Sequence, residues 1–135
     1  MSQALRLLVV DDEQEVTQSL KEQLEFQGYV VQTADNGIAA LEAVKTEIPH
    51  LILLDLMLPT LDGYRVLKLL KSHQLWSRIP VFVITARADE EDWTLALECG
   101  ADACLTKPVR FDTLLERIRA QLERIPGMGD GHVKK

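Results

Sequence analysis

Acidic residues follow two of the apolar runs in this sequence, at places where ionised side chains are costly. Asp11 and Asp12 come after the run from Leu7 to Val10, and Asp55 comes after Leu51 to Leu54. A carboxylate beside buried apolar residues needs a cation or hydrogen-bond donors to compensate its charge. Grouped carboxylates also repel one another, and Mg²⁺, which prefers oxygen ligands, is the simplest compensation. The sequence therefore predicts a Mg²⁺ site formed by these three carboxylates.

Two hydrogen-bond donors follow later apolar runs and would complete a site for phosphoryl transfer. Thr85 follows Val81 to Ile84, and Lys107 follows Ala103 to Thr106. A hydroxyl and an ammonium both bind phosphoryl oxygens. The chemistry that fits is in-line attack by the Asp55 carboxylate on phosphorus, with Mg²⁺ and Lys107 neutralising charge on the equatorial oxygens. Helix capping or turn formation would explain each Asp singly, but not an Asp after a buried run together with these donors.

The elements that carry these residues are five short apolar runs that alternate with five amphipathic segments. The predicted strands are Leu5 to Val10, Tyr29 to Thr33, Leu51 to Leu54, Val81 to Ile84 and Ala103 to Thr106. Because several runs are apolar on both faces, they suit a parallel sheet with helices on either side. The alternation predicts an α/β fold with right-handed crossovers and a doubly wound sheet. Ligands bind such sheets at the carboxyl ends of the strands, where the predicted site residues lie.

Turn and capping residues mark the helix boundaries and the end of the domain. Gly28 and Gly100 are predicted to end the first and fourth helices, and Asp89 to cap the start of the fourth. The fifth helix carries its apolar side chains on one stripe: Phe111, Leu114, Leu115, Ile118 and Leu122. A Pro-Gly pair then breaks this pattern. We predict one domain over residues 1–124, followed at 125–135 by a flexible tail or the start of a linker.

Composition and charge limit the class of protein. Hydrophobic residues make up 47% and charged residues 27% of the sequence, a balance typical of a globular domain. The net charge of −6 argues against direct nucleic-acid binding by this domain, since such binding depends on Lys and Arg. The apolar runs are far shorter than a membrane span and no signal-like segment occurs, so we expect a cytoplasmic protein without membrane contact. In that reducing compartment Cys99 and Cys104 are expected to stay free thiols.

At these residues the sequence resembles a known family, the receiver domains of two-component response regulators. The resemblance covers Leu5 to about Arg124, and it is specific because its parts occur in order at the right spacing. Those parts are Leu8 to Glu13, Leu53 to Pro59 with Asp62-Gly63, Val83 to Ala86, Gly100 to Asp102, and Leu105 to Pro108. The resemblance implies a flavodoxin-like (βα)5 domain with a five-stranded parallel sheet of strand order 2-1-3-4-5.

The same resemblance implies a metal site and a phosphoryl acceptor. Asp55 would accept a phosphoryl group from a histidine kinase or a phosphotransfer protein. Asp12 would bind Mg²⁺ directly and Asp11 mostly through water, with Asp55 and the backbone carbonyl of Met57 as further ligands. The domain would catalyse its own phosphorylation and slow dephosphorylation, without being a conventional enzyme.

Further residues would respond to the phosphoryl group or shield it, as the resemblance implies. A cis peptide bond before Pro108 would aim Lys107, and Thr85 would move toward the phosphoryl group. Arg87 would help to shield the acyl phosphate from water. Phosphorylation would then change the surface of the domain and relay the signal to a downstream effector protein or a C-terminal effector domain.

Two positions depart from the family pattern. Cys104 stands where members usually carry Tyr or Phe, a ring that swings inward on activation, and a thiol cannot reproduce that movement. Ala103 replaces an acidic residue common in members that dimerise through their fourth and fifth helices. A homodimer through those helices is therefore an expectation that rests on the remaining resemblance.

Three other functions compete with this interpretation. An aspartyl-nucleophile phosphatase commonly carries a second acid two residues after the nucleophile, where this chain has Met57. A flavin- or nucleotide-binding module needs a glycine-rich phosphate loop after the first strand, where this chain has Asp11 to Glu13. A pseudo-receiver that acts only as a protein interaction module, without phosphorylation, is the alternative that these residues leave open.

Overall fold

The computed structural model describes residues 4–86 and 89–123 of the chain. Five strands alternate with five helices along it. They are β1 (Arg6–Val10), α1 (Gln14–Phe26), β2 (Val30–Ala34), α2 (Gly37–Thr46), β3 (Leu51–Leu54), α3 (Gly63–Ser72), β4 (Val81–Thr85), α4 (Glu90–Glu98), β5 (Ala103–Thr106) and α5 (Phe111–Leu122). Every predicted strand is present, with boundaries that differ by at most one residue. The predicted domain end at residue 124, the tail at 125–135 and Arg87 lie outside the described residues.

All five strands form one parallel sheet of order β2-β1-β3-β4-β5, which confirms the predicted fold class. β1 and β3 lie side by side at the centre, with Val10 next to Leu54. Leu54 in turn lies next to Val83 of β4. Because β1 pairs with β2 on one side and with β3 on the other, the chain winds outward in both directions from β1. The carboxyl ends of β1 and β3 therefore flank the switch in winding direction, where such sheets bind ligands.

The central strands β1, β3 and β4 are buried on both faces and divide the core into two layers. Leu8, Val10, Ile52 and Leu54 pack with apolar residues of α2, α3 and α4. The residues that alternate with them in sequence pack with α1 and α5 on the other face. Burial of one such Leu or Ile side chain contributes about 1.5–3 kcal/mol. This burial explains why the strands read as continuous apolar runs rather than as alternating patterns.

Local chemistry at the helix ends agrees with the predicted signals. Asn36, Asp62 and Asp89 precede α2, α3 and α4, and each side chain accepts a hydrogen bond from the backbone N–H three residues later. Gly28 and Gly100 follow α1 and α4 with φ values of +100° and +107°, a backbone region that other residues rarely adopt. The longest helix in the described part of the chain has 13 residues, and none there has the length and apolar character needed to cross a membrane.

Candidate functional site

The predicted site residues lie together at the carboxyl edge of the sheet. Asp11 follows β1 with 4% of its surface exposed, Asp55 follows β3 with 5% exposed, and Thr85 ends β4 fully buried. Sheet-like hydrogen bonds continue into these positions. The backbone N–H of Asp55 donates to the carbonyl of Val10 at 2.9 Å, and that of Lys107 donates to the carbonyl of Thr85 at 2.9 Å. The backbone at the site is therefore fixed by the sheet rather than by loop packing alone.

The acidic residues form one compact group. Asp11, Asp12 and Asp55 each offer a carboxylate oxygen, and these three oxygens lie within 4.8 Å of one another. Asp12 is exposed, whereas the other two are buried, so the group opens to solvent on one side. An all-oxygen donor set with an open side suits Mg²⁺, which keeps several water ligands. The residues present therefore fit the predicted ion, while the part assigned to the Met57 carbonyl stays a prediction.

Lys107 provides the positive charge within this acidic group. Its Nζ lies 2.7 Å from Asp11 Oδ2, 2.9 Å from Asp55 Oδ2 and 3.1 Å from Glu13 Oε1. The Lys107 side chain is 18% exposed. The peptide bond between Lys107 and Pro108 is cis, as the resemblance implies. The ammonium thus lies within ion-pairing distance of three carboxylates, that of Asp55 included.

Burial and hydrogen bonding act in opposite directions on the two central charged groups. Burial raises the pKa of Asp55, and hydrogen bonds from the Met57 N–H and from Lys107 offset this only in part. Burial alone would lower the pKa of Lys107, but its hydrogen bonds to Asp11, Asp55 and Glu13 raise it well above its usual value. Lys107 is therefore charged at neutral pH. A divalent cation bound by the carboxylates would favour the ionised form of Asp55, which is the nucleophilic one.

Two residues contribute to the site in ways that the sequence prediction missed. The side chain of Glu13 binds Lys107. The sequence placed Glu13 among the strand-end residues that should converge, but gave it no role at the site. Gly63 donates its N–H to the carbonyl of Leu56 at 3.0 Å. A Cβ at Gly63 would lie 2.4 Å from Leu56 Cα and 2.6 Å from the Asp55 carbonyl oxygen. The sequence signal for this contact was the Asp62-Gly63 motif. Its physical basis is the close approach of α3 to the backbone of Asp55 and Leu56.

Both departures from the family pattern, Ala103 and Cys104, lie on β5. Cys104 is half-buried. Burial raises the pKa of its thiol, and the nearby charge of Asp92 makes a smaller contribution in the same direction. Tyr64 on α3 donates its hydroxyl to Asp92 Oδ1 at 3.0 Å. Cys99 and Cys104 are both free thiols, as expected. An aromatic ring from α3 thus reaches α4 near the position where the family usually carries one on β5.

Comparisons with known proteins agree with this geometry. The family model described as "Response regulator receiver domain" matches residues 7–119. The chain is 44% identical over 119 residues to a transcriptional regulatory protein CpxR homolog of Haemophilus influenzae. The aligned part covers 88% of this chain and 51% of that protein. It is 42% identical over 120 residues to the response regulator MprA of Mycobacterium leprae. Here the aligned part covers 89% of this chain and 52% of that protein. The chain thus spans about half the length of these curated relatives.

A solved structure shows the same architecture. The crystal structure of a response regulator receiver domain protein (CheY-like) from Methanospirillum hungatei JF-1 superposes with a TM-score of 0.83. Its sequence is 35% identical, and the superposition covers 90% of this chain and 95% of that one. Together with the match over residues 7–119, this shows that the chain belongs to the response regulator receiver domain family.

Proposed function

We propose that this domain accepts a phosphoryl group on Asp55 from a histidine kinase or a phosphotransfer protein, with Mg²⁺ bound at the acidic group. The observation that carries the proposal is the position of Lys107 Nζ, 2.9 Å from Asp55 Oδ2 and 2.7 Å from Asp11 Oδ2. A buried carboxylate that shares an ammonium with a second buried carboxylate is poorly suited to a purely structural role. It is well suited to receive a phosphoryl group, which adds negative charge that the same ammonium can help to neutralise.

The transfer itself follows from the roles of these side chains. An Asp55 carboxylate oxygen attacks phosphorus, an oxygen–phosphorus bond forms, and the phosphorus–nitrogen bond of the donor phosphohistidine breaks with its electrons retained on nitrogen. Mg²⁺ held by Asp11, Asp12 and Asp55 supplies positive charge to the phosphoryl oxygens when it is bound. Lys107 donates to a second oxygen, and the Thr85 hydroxyl donates to a third after a small movement. The product is an acyl phosphate on Asp55, which water later hydrolyses.

The signal would leave the site along β4 and β5. The backbone hydrogen bond from Lys107 to Thr85 joins the ends of these strands, and α4 begins at Glu90, five residues after β4 ends at Thr85. α4 exposes Trp93, Leu95 and Leu97, apolar side chains that offer a surface to a partner. We propose that a separate effector protein or a C-terminal effector domain reads this surface. A homodimer through α4 and α5 and a cytoplasmic location belong to the same proposal.

Phosphorylation by a small donor tests the proposed function. Incubation of the protein with Mg²⁺ and acetyl phosphate should give one phosphoryl adduct by intact mass. The adduct should be absent in Asp55→Asn and in samples that contain a chelator. A folded wild-type protein that forms no adduct under these conditions, or with a phosphorylated histidine kinase, would instead indicate a phosphorylation-independent interaction module.

A further inference from the structure

Glu13 occupies the position before α1 but does not use its side chain to cap the helix. Ser, Thr, Asp and Asn are preferred at such positions because their short side chains reach the free N–H groups of the first turn. In the described part of the chain, no capping hydrogen bond is made by the Glu13 side chain. It reaches instead to Lys107, 94 residues later, with Oε1 at 3.1 Å from Nζ. The side chain is thus directed at the site rather than at its own helix.

Backbone and side chain of Glu13 make separate contributions. Its backbone N–H donates to Asp11 Oδ1 at 2.9 Å and so orients a predicted metal ligand. Because the donor is the backbone N–H, a change from Glu13 to Gln leaves this bond available. The side-chain carboxylate contacts Lys107 from the solvent side, since it is 61% exposed whereas Lys107 is 18% exposed. A change of the side chain alone therefore tests the contact with Lys107.

The charge balance gives this contact a functional consequence. Asp11, Glu13 and Asp55 each bind the Lys107 ammonium, and Asp12 lies beside Asp11 and Asp55. Each carboxylate increases the attraction of this edge for a divalent cation. Phosphorylation would replace one negative charge on Asp55 by about two. Glu13 then repels the group on Asp55 and also competes with it for Lys107.

We infer that Glu13 is a positioning residue that holds Lys107 from the solvent side, and that its carboxylate strengthens Mg²⁺ binding while it slows phosphorylation by an anionic donor. The inference rests on the proposed function and assigns it a further residue. It predicts that Mg²⁺ binding and phosphorylation respond in opposite directions to the same substitution at position 13. Substitution of a residue with only a structural role would weaken both Mg²⁺ binding and phosphorylation, or neither of them.

The substitution Glu13→Gln removes the charge and keeps the length of the side chain. Mg²⁺ affinity is measured by calorimetry, and the rate of phosphorylation by acetyl phosphate is measured at saturating Mg²⁺ by intact mass. We expect the variant to bind Mg²⁺ about two- to five-fold more weakly and to be phosphorylated faster by a similar factor, the range that an exposed ion pair contributes. Both differences should decrease as KCl is raised, because exposed charges are screened.

Glu15→Gln is the matched control for this experiment. Glu15 is exposed and lines the same surface pocket as Glu13 and Lys107, and its substitution by Gln removes the same charge. No hydrogen bond or ion pair joins it to Lys107 among the residues that the structure describes, so both of its effects should be smaller. The inference would be overturned if the two variants had equal effects. It would also be overturned if Glu13→Gln changed neither Mg²⁺ affinity nor the phosphorylation rate, or if it slowed phosphorylation. Wild-type protein that binds Mg²⁺ but forms no adduct would overturn the proposed function itself and the inference with it.

Discussion

Asp55 shows, at the scale of one residue, how the site couples reactivity to stability. Its carboxylate is buried, and burial raises its pKa more than the hydrogen bonds from the Met57 N–H and Lys107 lower it. The folded protein therefore binds a proton at Asp55 more tightly than the unfolded chain does. It follows that the ionised carboxylate, which is the proposed nucleophile, destabilises the metal-free fold at neutral pH.

We expect Asp55→Asn to raise the free energy of unfolding of the metal-free protein at pH 7. The amide is neutral and its oxygen can still accept the Met57 N–H, while Lys107 keeps Asp11 and Glu13 as partners. The gain should be about 1 kcal/mol, the usual size of a single-residue effect. It should shrink as the pH falls through the raised pKa, because the wild-type carboxyl is then neutral as well. Urea unfolding in the presence of a chelator, at several pH values, measures this; a difference that does not change with pH would contradict it.

Gly63 shows how one element positions the site at the scale of helices and loops. It begins α3 and approaches the backbone of Asp55 and Leu56 so closely that a Cβ would clash with main-chain atoms. We expect Gly63→Ala to lower the free energy of unfolding by about 1–3 kcal/mol, the range found for overpacked cores. It should also slow phosphorylation, because either the start of α3 or the backbone of Asp55 and Leu56 must move to relieve the clash. Chemical denaturation and the acetyl phosphate assay together measure both effects.

Gly28→Ala is the control that separates backbone strain from displacement of the site. Gly28 has a φ of +100°, but nothing lies within 4 Å of a Cβ built there. The change should destabilise the fold by about 1 kcal/mol through strain alone and leave the phosphorylation rate per folded molecule unchanged. If Gly63→Ala also left that rate unchanged, the start of α3 would not be positioning the backbone of Asp55 and Leu56 for phosphorylation, and the prediction would be wrong.

The strands and the convergence of the site could be predicted because both follow from local patterns. Runs such as Leu51–Leu54 are apolar at every position, and the structure buries every one of these side chains. Once the strands are parallel, the residues after them must meet at one edge, so the proximity of Asp11, Asp55 and Lys107 follows from topology. The predicted ends of β1, β2 and β4 differ by one residue from those observed, since the terminal hydrogen bonds depend on neighbours that the sequence does not identify.

Contacts between distant side chains could not be predicted, because they depend on how the elements pack. Lys71 appears in sequence as an ordinary helix lysine, yet its Nζ donates to the carbonyl of Ile79 at 2.8 Å and lies 3.1 Å from Asp102 Oδ2. The bond from Tyr64 to Asp92 and the reach of Glu13 to Lys107 are of the same kind. In each case the side chain has more than one rotamer, and only the assembled fold selects the one that makes the contact.

At the scale of the whole molecule, ion binding at the acidic group would be coupled to folding. Its carboxylates come from the ends of β1 and β3, which lie next to each other only once the central strands have paired. The unfolded chain separates them and offers no comparable set of ligands. A cation that binds this group therefore binds the folded state preferentially, and its binding free energy adds to the stability of the entire domain.

We accordingly expect Mg²⁺ to stabilise the domain against urea, by about 1.4 kcal/mol at ten times its dissociation constant. Asp12→Asn is the informative variant, because Asp12 is exposed and its replacement removes one predicted ligand without opening the core. At the same Mg²⁺ concentration this variant should gain much less. KCl at matched ionic strength should not reproduce the effect in either protein, because general screening does not require the three oxygens to be close together. If Mg²⁺ stabilised Asp12→Asn as much as the wild type, the ion would be acting on the overall charge of −6 rather than at this group.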